Sequence, residues 1–217
     1  MKKALALLLA LALALPLTSC GQLGALKDLG NQLGGIADAL SNFKSMDEIA
    51  GNLENFKIVI ENTTSYGDKS TITEMRCKDG YMLETDGMIM FYDYGKKMSY
   101  MLNPDTKDGY SYKIDDDSDS QYFGMTSLYL AYHYLFALAG PKKGGTEKVS
   151  GRNCTYYTLT IEDGSIKFWV DDEIGITMKY ITNDGESMEI KEFKNSGVKL
   201  SDMVNISQYN ITDFSDY

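Results

Sequence analysis

Tyr81-Met82-Leu83-Glu84-Thr85-Asp86-Gly87-Met88-Ile89-Met90-Phe91-Tyr92-Asp93-Tyr94 decides the fold. Two runs rich in aromatic and long apolar side chains flank an Asp-Gly pair. Asp-Gly accepts the positive φ of a tight hairpin turn, so the runs read as neighbouring antiparallel strands. The pattern continues in both directions. Gly95-Lys96-Lys97 leads to a strand over Met98 to Leu102, and Lys78-Asp79-Gly80 follows one over Ser70 to Cys77. Phe56 to Glu61 and Tyr110 to Ile114 extend the series on either side. Consecutive strands with short turns form an antiparallel sheet.

A second series begins after Lys142-Lys143-Gly144-Gly145, which reads as a turn. Strands are expected at 147–150, 154–161, 166–170, 176–182 and 188–193. Glu162-Asp163-Gly164, Glu173-Ile174-Gly175 and Asn183-Asp184-Gly185 separate the later ones. The tail from Leu200 to Tyr217 is polar and aromatic and could supply an edge segment.

Between the two series, Gln121 to Ala139 carries no formal charge. Met125, Leu128, Tyr129, Tyr132, Leu135 and Phe136 share one helical face, and other apolar side chains fall around the rest. A helix apolar nearly all round is buried. Its tyrosines and His133 favour a core helix over a membrane span, and Gly140-Pro141 ends it. Asp115-Asp116-Asp117-Ser118-Asp119 alternates like a calcium loop. It lacks the glycine and the closing glutamate, with Thr126 in that place, and reads as a solvated acidic loop ahead of the helix.

These elements predict a mainly β (α+β) chain: a curled antiparallel sheet, or open half-barrel, of about eleven strands wrapped around a central helix.

The N-terminus sets the compartment. Lys2 and Lys3 precede an apolar run from Ala4 to Leu15, the shape of a secretory signal. Leu17-Thr18-Ser19-Cys20 then resembles the bacterial lipobox. The resemblance implies cleavage before Cys20, a diacylglyceryl thioether on its sulfur, and an extracytoplasmic chain anchored to the cell membrane or outer membrane. The expected organisation is a signal peptide over 1–19, a lipidated tether over 20–45 and one half-barrel domain over 46–217. Leucines recur at helical spacing in the tether, but Gly21, Gly24, Gly30, Gly34 and Gly35 weaken it. Such a marginal helix either lies on the membrane or packs on the domain.

The formal net charge of −10 argues against nucleic acid as a partner. With Cys20 assigned to lipid, Cys77 and Cys154 remain, either as a disulfide that the compartment permits or as two buried thiols. No metal-ligand spacing, phosphate loop or nucleophile motif is present, so neither a cofactor nor a catalytic site is expected, and the chain reads as a non-enzyme.

Val149-Ser150-Gly151-Arg152-Asn153-Cys154-Thr155-Tyr156-Tyr157, then Phe168-Trp169-Val170-Asp171, then Gly175-Ile176-Thr177-Met178-Lys179, resemble the lipoprotein-localisation (LolA/LolB-like) carrier superfamily. Tyr92-Asp93-Tyr94 and Tyr100-Met101-Leu102-Asn103-Pro104 fit the same pattern. The resemblance spans residues 46 to 200, with Thr177 where proline is usual. It implies an open β-barrel holding acyl chains in its hollow. It also admits glycolipid binders and envelope-stress sensors.

Methionine lines adaptable apolar sites, and eleven methionines follow Met1. Strand alternation suggests a ligand face of Tyr81, Leu83, Met98, Tyr100, Leu102, Phe168, Val170, Met178, Tyr180 and Met188. Met125, Tyr129, Tyr132 and Phe136 of the helix would oppose it. The expected function is an anchored carrier or receptor for an acylated or apolar ligand. The alternative is an envelope sensor or interaction lipoprotein with a filled core and a protein partner.

Overall fold

The structure, a computed structural model, describes residues 49, 53–114, 141–161 and 164–214. Cys20, the tether, the acidic loop and the helical segment with Met125, Tyr129, Tyr132, His133 and Phe136 lie outside the described residues.

Among the described residues, twelve strands form one open sheet. β1 (Phe56–Thr63), β2 (Lys69–Cys77), β3 (Gly80–Thr85), β4 (Met88–Asp93), β5 (Met98–Leu102) and β6 (Asp108–Lys113) make the first series. β7 (Lys142–Val149), β8 (Arg152–Ile161), β9 (Gly164–Asp171), β10 (Thr177–Thr182) and β11 (Ser187–Lys194) make the second. β12 (Asn210–Asp213) comes from the tail. The spatial order is β12-β6-β5-β4-β3-β2-β1-β11-β10-β9-β8-β7. The expected curled, open, mainly antiparallel sheet is the architecture found.

β1 joins the two series, pairing with β2 on one side and β11 on the other. Every pairing among the described residues is antiparallel except β12 with β6. Asp86-Gly87 forms the β3–β4 hairpin, with Gly87 at φ 81°. β7 starts at Lys142, so the lysine-glycine run expected as a turn is strand. Its register shifts between Lys143 and Thr146, and a bulge of this kind absorbs the two glycines without ending the pairing.

The tail also covers one side of β2–β6. Asn55 clamps its start: the Asn55 amide donates to the Val198 carbonyl (2.8 Å), and the Val198 N–H donates back to Asn55 Oδ1 (2.9 Å). Short 3-10 turns over Leu200–Asp202 and Ile206–Gln208 then carry Leu200, Met203, Val204 and Ile206 across the sheet. They pack on Met75, Met82, Ile89, Phe91, Tyr100 and Leu102. Gly80 makes room for this: a Cβ there would lie 2.4 Å from Leu200 Cδ1 and 2.6 Å from the Tyr92 carbonyl oxygen.

Cys77 and Cys154 are free thiols, both buried. The disulfide alternative therefore does not hold. Cys77 lies on β2 and Cys154 on β8, with β1, β11, β10 and β9 between them in the sheet. A disulfide needs Cα atoms within about 7 Å, whereas neighbouring strands alone are about 4.8 Å apart.

Candidate functional site

Strand register sorts the sheet into two unlike faces. On one, directly opposed residues run Tyr110, Met101, Met90, Leu83, Glu74, Ile58 and Phe193 across seven strands. A parallel row runs Met188, Tyr180, Phe168 and Tyr157 across four. Ile72, Ile60 and Ile190 connect the rows through β2, β1 and β11. Cross-strand neighbours on one face lie about 5 Å apart, so these side chains form a continuous apolar surface.

Burial is uneven along it. Phe168 and Ile60 are fully buried, and Leu83 and Tyr81 nearly so. Met90 and Tyr92 are half-buried. At the β5–β6 end, Met101 is 44 % exposed, Tyr110 50 % and Tyr112 39 %. Phe214 lies against both tyrosines, with ring centroids 5.7 Å apart in each case. The surface is thus closed at its centre and open at one end.

One carboxylate interrupts the apolar row. Glu74 is 1 % exposed, between Ile58 and Leu83 in register. The Tyr81 hydroxyl donates to its Oε1 (3.0 Å). A carboxylate is held in such surroundings only when hydrogen-bonded. The sequence reading did not single out Glu74, because a glutamate within a strand reads as solvent-facing.

The opposite face is different in kind. On β1, β2 and β9–β11 it carries ion pairs: Lys57–Glu192 (2.8 Å), Lys69–Glu61 (3.1 Å), Lys179–Glu189 (2.8 Å) and Lys191–Glu61 (3.6 Å). Lysine hydrogen bonds hold the carboxyls of Glu61 and Glu192 below the usual carboxylate value. Glu147 is also lowered, first by the Trp169 indole N–H (2.9 Å) and then by Lys167 (3.1 Å). On β2–β6 the same face is the surface sealed by the tail.

The expected ligand face is therefore corrected in part. Tyr81, Leu83, Phe168, Val170, Tyr180 and Met188 do share the apolar face by register. Met98, Tyr100 and Leu102 do not. They oppose Asp93, Phe91 and Ile89 and lie on the tail-covered side. Met178 falls at a register shift in β10 and is fully buried with Met188 and Ile190. The sequence reading missed Met90, Ile58, Ile60, Ile190 and Tyr157. All are apolar at alternate strand positions, and the pairings of β1 with β2 and β11, of β3 with β4 and of β8 with β9 place them.

The stretch that carried the family resemblance is a structural device. Asp171, 2 % exposed, accepts from the Glu173 N–H (2.9 Å), the Ile174 N–H (2.7 Å) and the guanidinium of Arg152. Gly175 at φ 86° closes the turn, its N–H reaching the Asp171 carbonyl (2.9 Å). Arg152 is raised above its ordinary value, chiefly by its hydrogen bond to Asp171. Burial pushes the neighbouring Cys154 thiol up to about 12.

Two open, polar clefts are lined by described residues. One, of about 420 Å³, is bounded by Thr146, Glu147, Lys148, Asn153 and Asp172. The other, of about 510 Å³, lies between β6 and β12. Among the described residues, no three histidine, cysteine or acidic side chains are grouped to hold a metal ion. Also among them, no helix is long and apolar enough to cross a membrane.

Compared with known families and with curated proteins, the sequence matches none. Solved structures do resemble it. The chain is similar to one in the MucA/MucB complex of Pseudomonas aeruginosa (13 % identity, TM-score 0.47, covering 82 % of this chain and 63 % of that one). It is also similar to LprF from Mycobacterium bovis (13 %, 0.35, 76 % and 95 %). A third is a domain from Vibrio parahaemolyticus described as an outer membrane lipoprotein-sorting protein (10 %, 0.28, 76 % and 96 %). The chain spans 31 % of PNGF-II and 62 % of MucB, two further structures it matches. Likenesses this distant carry no functional argument.

Proposed function

We propose that this chain is an extracytoplasmic lipoprotein, anchored through Cys20, whose curled sheet binds an acylated or otherwise apolar ligand without catalysis. The observation that supports this reading is the apolar face: two cross-strand rows of large side chains, one buried carboxylate, and an open end at Met101, Tyr110 and Tyr112. Burying apolar ligand surface there would contribute about 25 cal/mol per Å². The hydroxyls of Tyr110 and Tyr112 at the open end would supply the few polar groups that orient a ligand in a mostly apolar site.

The test is uptake of a fluorescent fatty acid by a soluble form beginning at Gly21. Saturable uptake, lost in Met90→Glu and Met101→Glu with folding unchanged, is expected. Absence of uptake, or uptake indifferent to both substitutions, would overturn the reading.

A further inference from the structure

Among the described residues, β7 is the outer edge of the second series and pairs with β8 alone. Seven of its eight residues are exposed, from Lys142 to Lys148. An edge strand presents a row of unpaired backbone donors and acceptors.

The charge on this edge runs against the rest of the molecule. The chain is acidic, with a net charge of −10, yet β7 carries Lys142, Lys143 and Lys148 against one glutamate. Lysines elsewhere on the sheet reach carboxylates: Lys57, Lys69, Lys167, Lys179, Lys191 and Lys194 all form ion pairs. Among the described residues, the three on β7 form none. The nearby carboxylates are already engaged. Glu147 holds Trp169 and Lys167, and Asp172 Oδ1 accepts from the Thr155 hydroxyl (2.7 Å). The strand's shape is also fixed: a Cβ on Gly144 would lie 1.9 Å from the Tyr156 ring, so that ring seats against the bulge.

We infer that β7 is a docking edge for an extended acidic segment of a partner protein, which adds to the sheet as a further strand. Main-chain pairing supplies affinity in this mode, and side chains supply specificity. Two copies of β7 paired antiparallel about Gly145 would set Lys142 against Lys148, which disfavours self-pairing, whereas an acidic strand suits all three lysines. This inference is independent of the ligand proposed for the apolar face.

The probe is a short peptide of alternating threonine and glutamate, titrated against the soluble form beginning at Gly21. Three comparison reagents accompany it. The first is a glutamine version of the peptide. The second is a version N-methylated at consecutive residues, which keeps the charge and removes the donors. The third is a Lys142→Glu, Lys143→Glu, Lys148→Glu protein variant. All three lysines are exposed and have no ion-pair partner among the described residues, so the variant should fold and melt as the parent does. The glutamate peptide should bind at least about tenfold more tightly than the glutamine one, and less tightly as salt rises. The protein variant and the N-methylated peptide should both abolish binding. No binding of the glutamate peptide would overturn the inference. So would full binding by the N-methylated peptide, which would leave charge attraction without strand pairing. Unchanged binding to the protein variant would move the site away from β7 and overturn it equally.

Discussion

The two faces of β2–β6 are equally rich in apolar side chains, yet they are finished differently. One carries Met75, Met82, Phe91, Tyr100 and Leu102 and is sealed by the chain's own tail. The other carries Leu83, Met90, Met101 and Tyr110, and its end at β5–β6 is exposed. Apolar composition alone therefore does not mark a ligand surface. What distinguishes the two is cover. The sealed face holds the fold together, and the open one is the candidate for binding.

Removing the cover should have the largest effect. Truncation before Val198 exposes five or more large side chains, each stabilising by about 1.5–3 kcal/mol when buried. Against a total stability of about 5–15 kcal/mol, that loss is decisive. The truncated chain should lose its cooperative thermal transition and bind a hydrophobic dye. A truncated chain that melts cooperatively would show that the tail is dispensable.

Asp171→Ala comes next. It leaves Arg152 with only the exposed Glu173 as an ion-pair partner among the described residues and removes the acceptor for two turn amides, which should cost about 1–3 kcal/mol. Denaturant unfolding measures the cost, with ligand uptake by the surviving folded fraction unchanged. Asn55→Ala leaves the Val198 carbonyl and N–H without their partner and should cost about 1–3 kcal/mol. Loosening of the tail alone should show in hydrogen exchange at Met203 and Val204.

The register between the strands explains how much of this was legible. Asp86-Gly87 and the alternating runs around it announced the antiparallel series, and the observed strands follow them closely. The edge segment expected from the tail is β12. Face assignment was harder. Met98, Tyr100 and Leu102 look from sequence like continuations of the Tyr81 and Leu83 face, because all are alternate apolar positions. The β4–β5 register places them on the other side, and that register depends on turn geometry rather than on composition. Lys142-Lys143-Gly144-Gly145 read as a turn because glycine pairs punctuate chains, and the bulge that keeps it in the sheet depends on contact with Tyr156. Glu74 was invisible for a related reason: only the packing reveals that a strand glutamate is buried.

A smaller effect concerns the thiols. Cys154 stays protonated to about 12 when folded but ionises near 9 when unfolded, so it contributes stability that is lost as pH rises above that unfolded value. In the soluble form beginning at Gly21, neither thiol should react with a disulfide reagent at pH 8 while folded, and both should react in denaturant without reductant. A denatured protein without reactive thiols would contradict the free-thiol state.

The smallest stability effect should fall on the open face. Met101→Ser and Tyr110→Ser, at half-exposed positions, should shift stability by no more than about 0.5 kcal/mol. Their consequence should appear in ligand uptake instead.

The most direct test is native mass spectrometry, with solvent extraction, of the soluble form beginning at Gly21. The account predicts an apolar or acylated molecule bound at one per chain, removed by solvent and diminished by Met101→Ser with Tyr110→Ser. A clean protein mass that stays unchanged after incubation with lipid or fatty acid would contradict it.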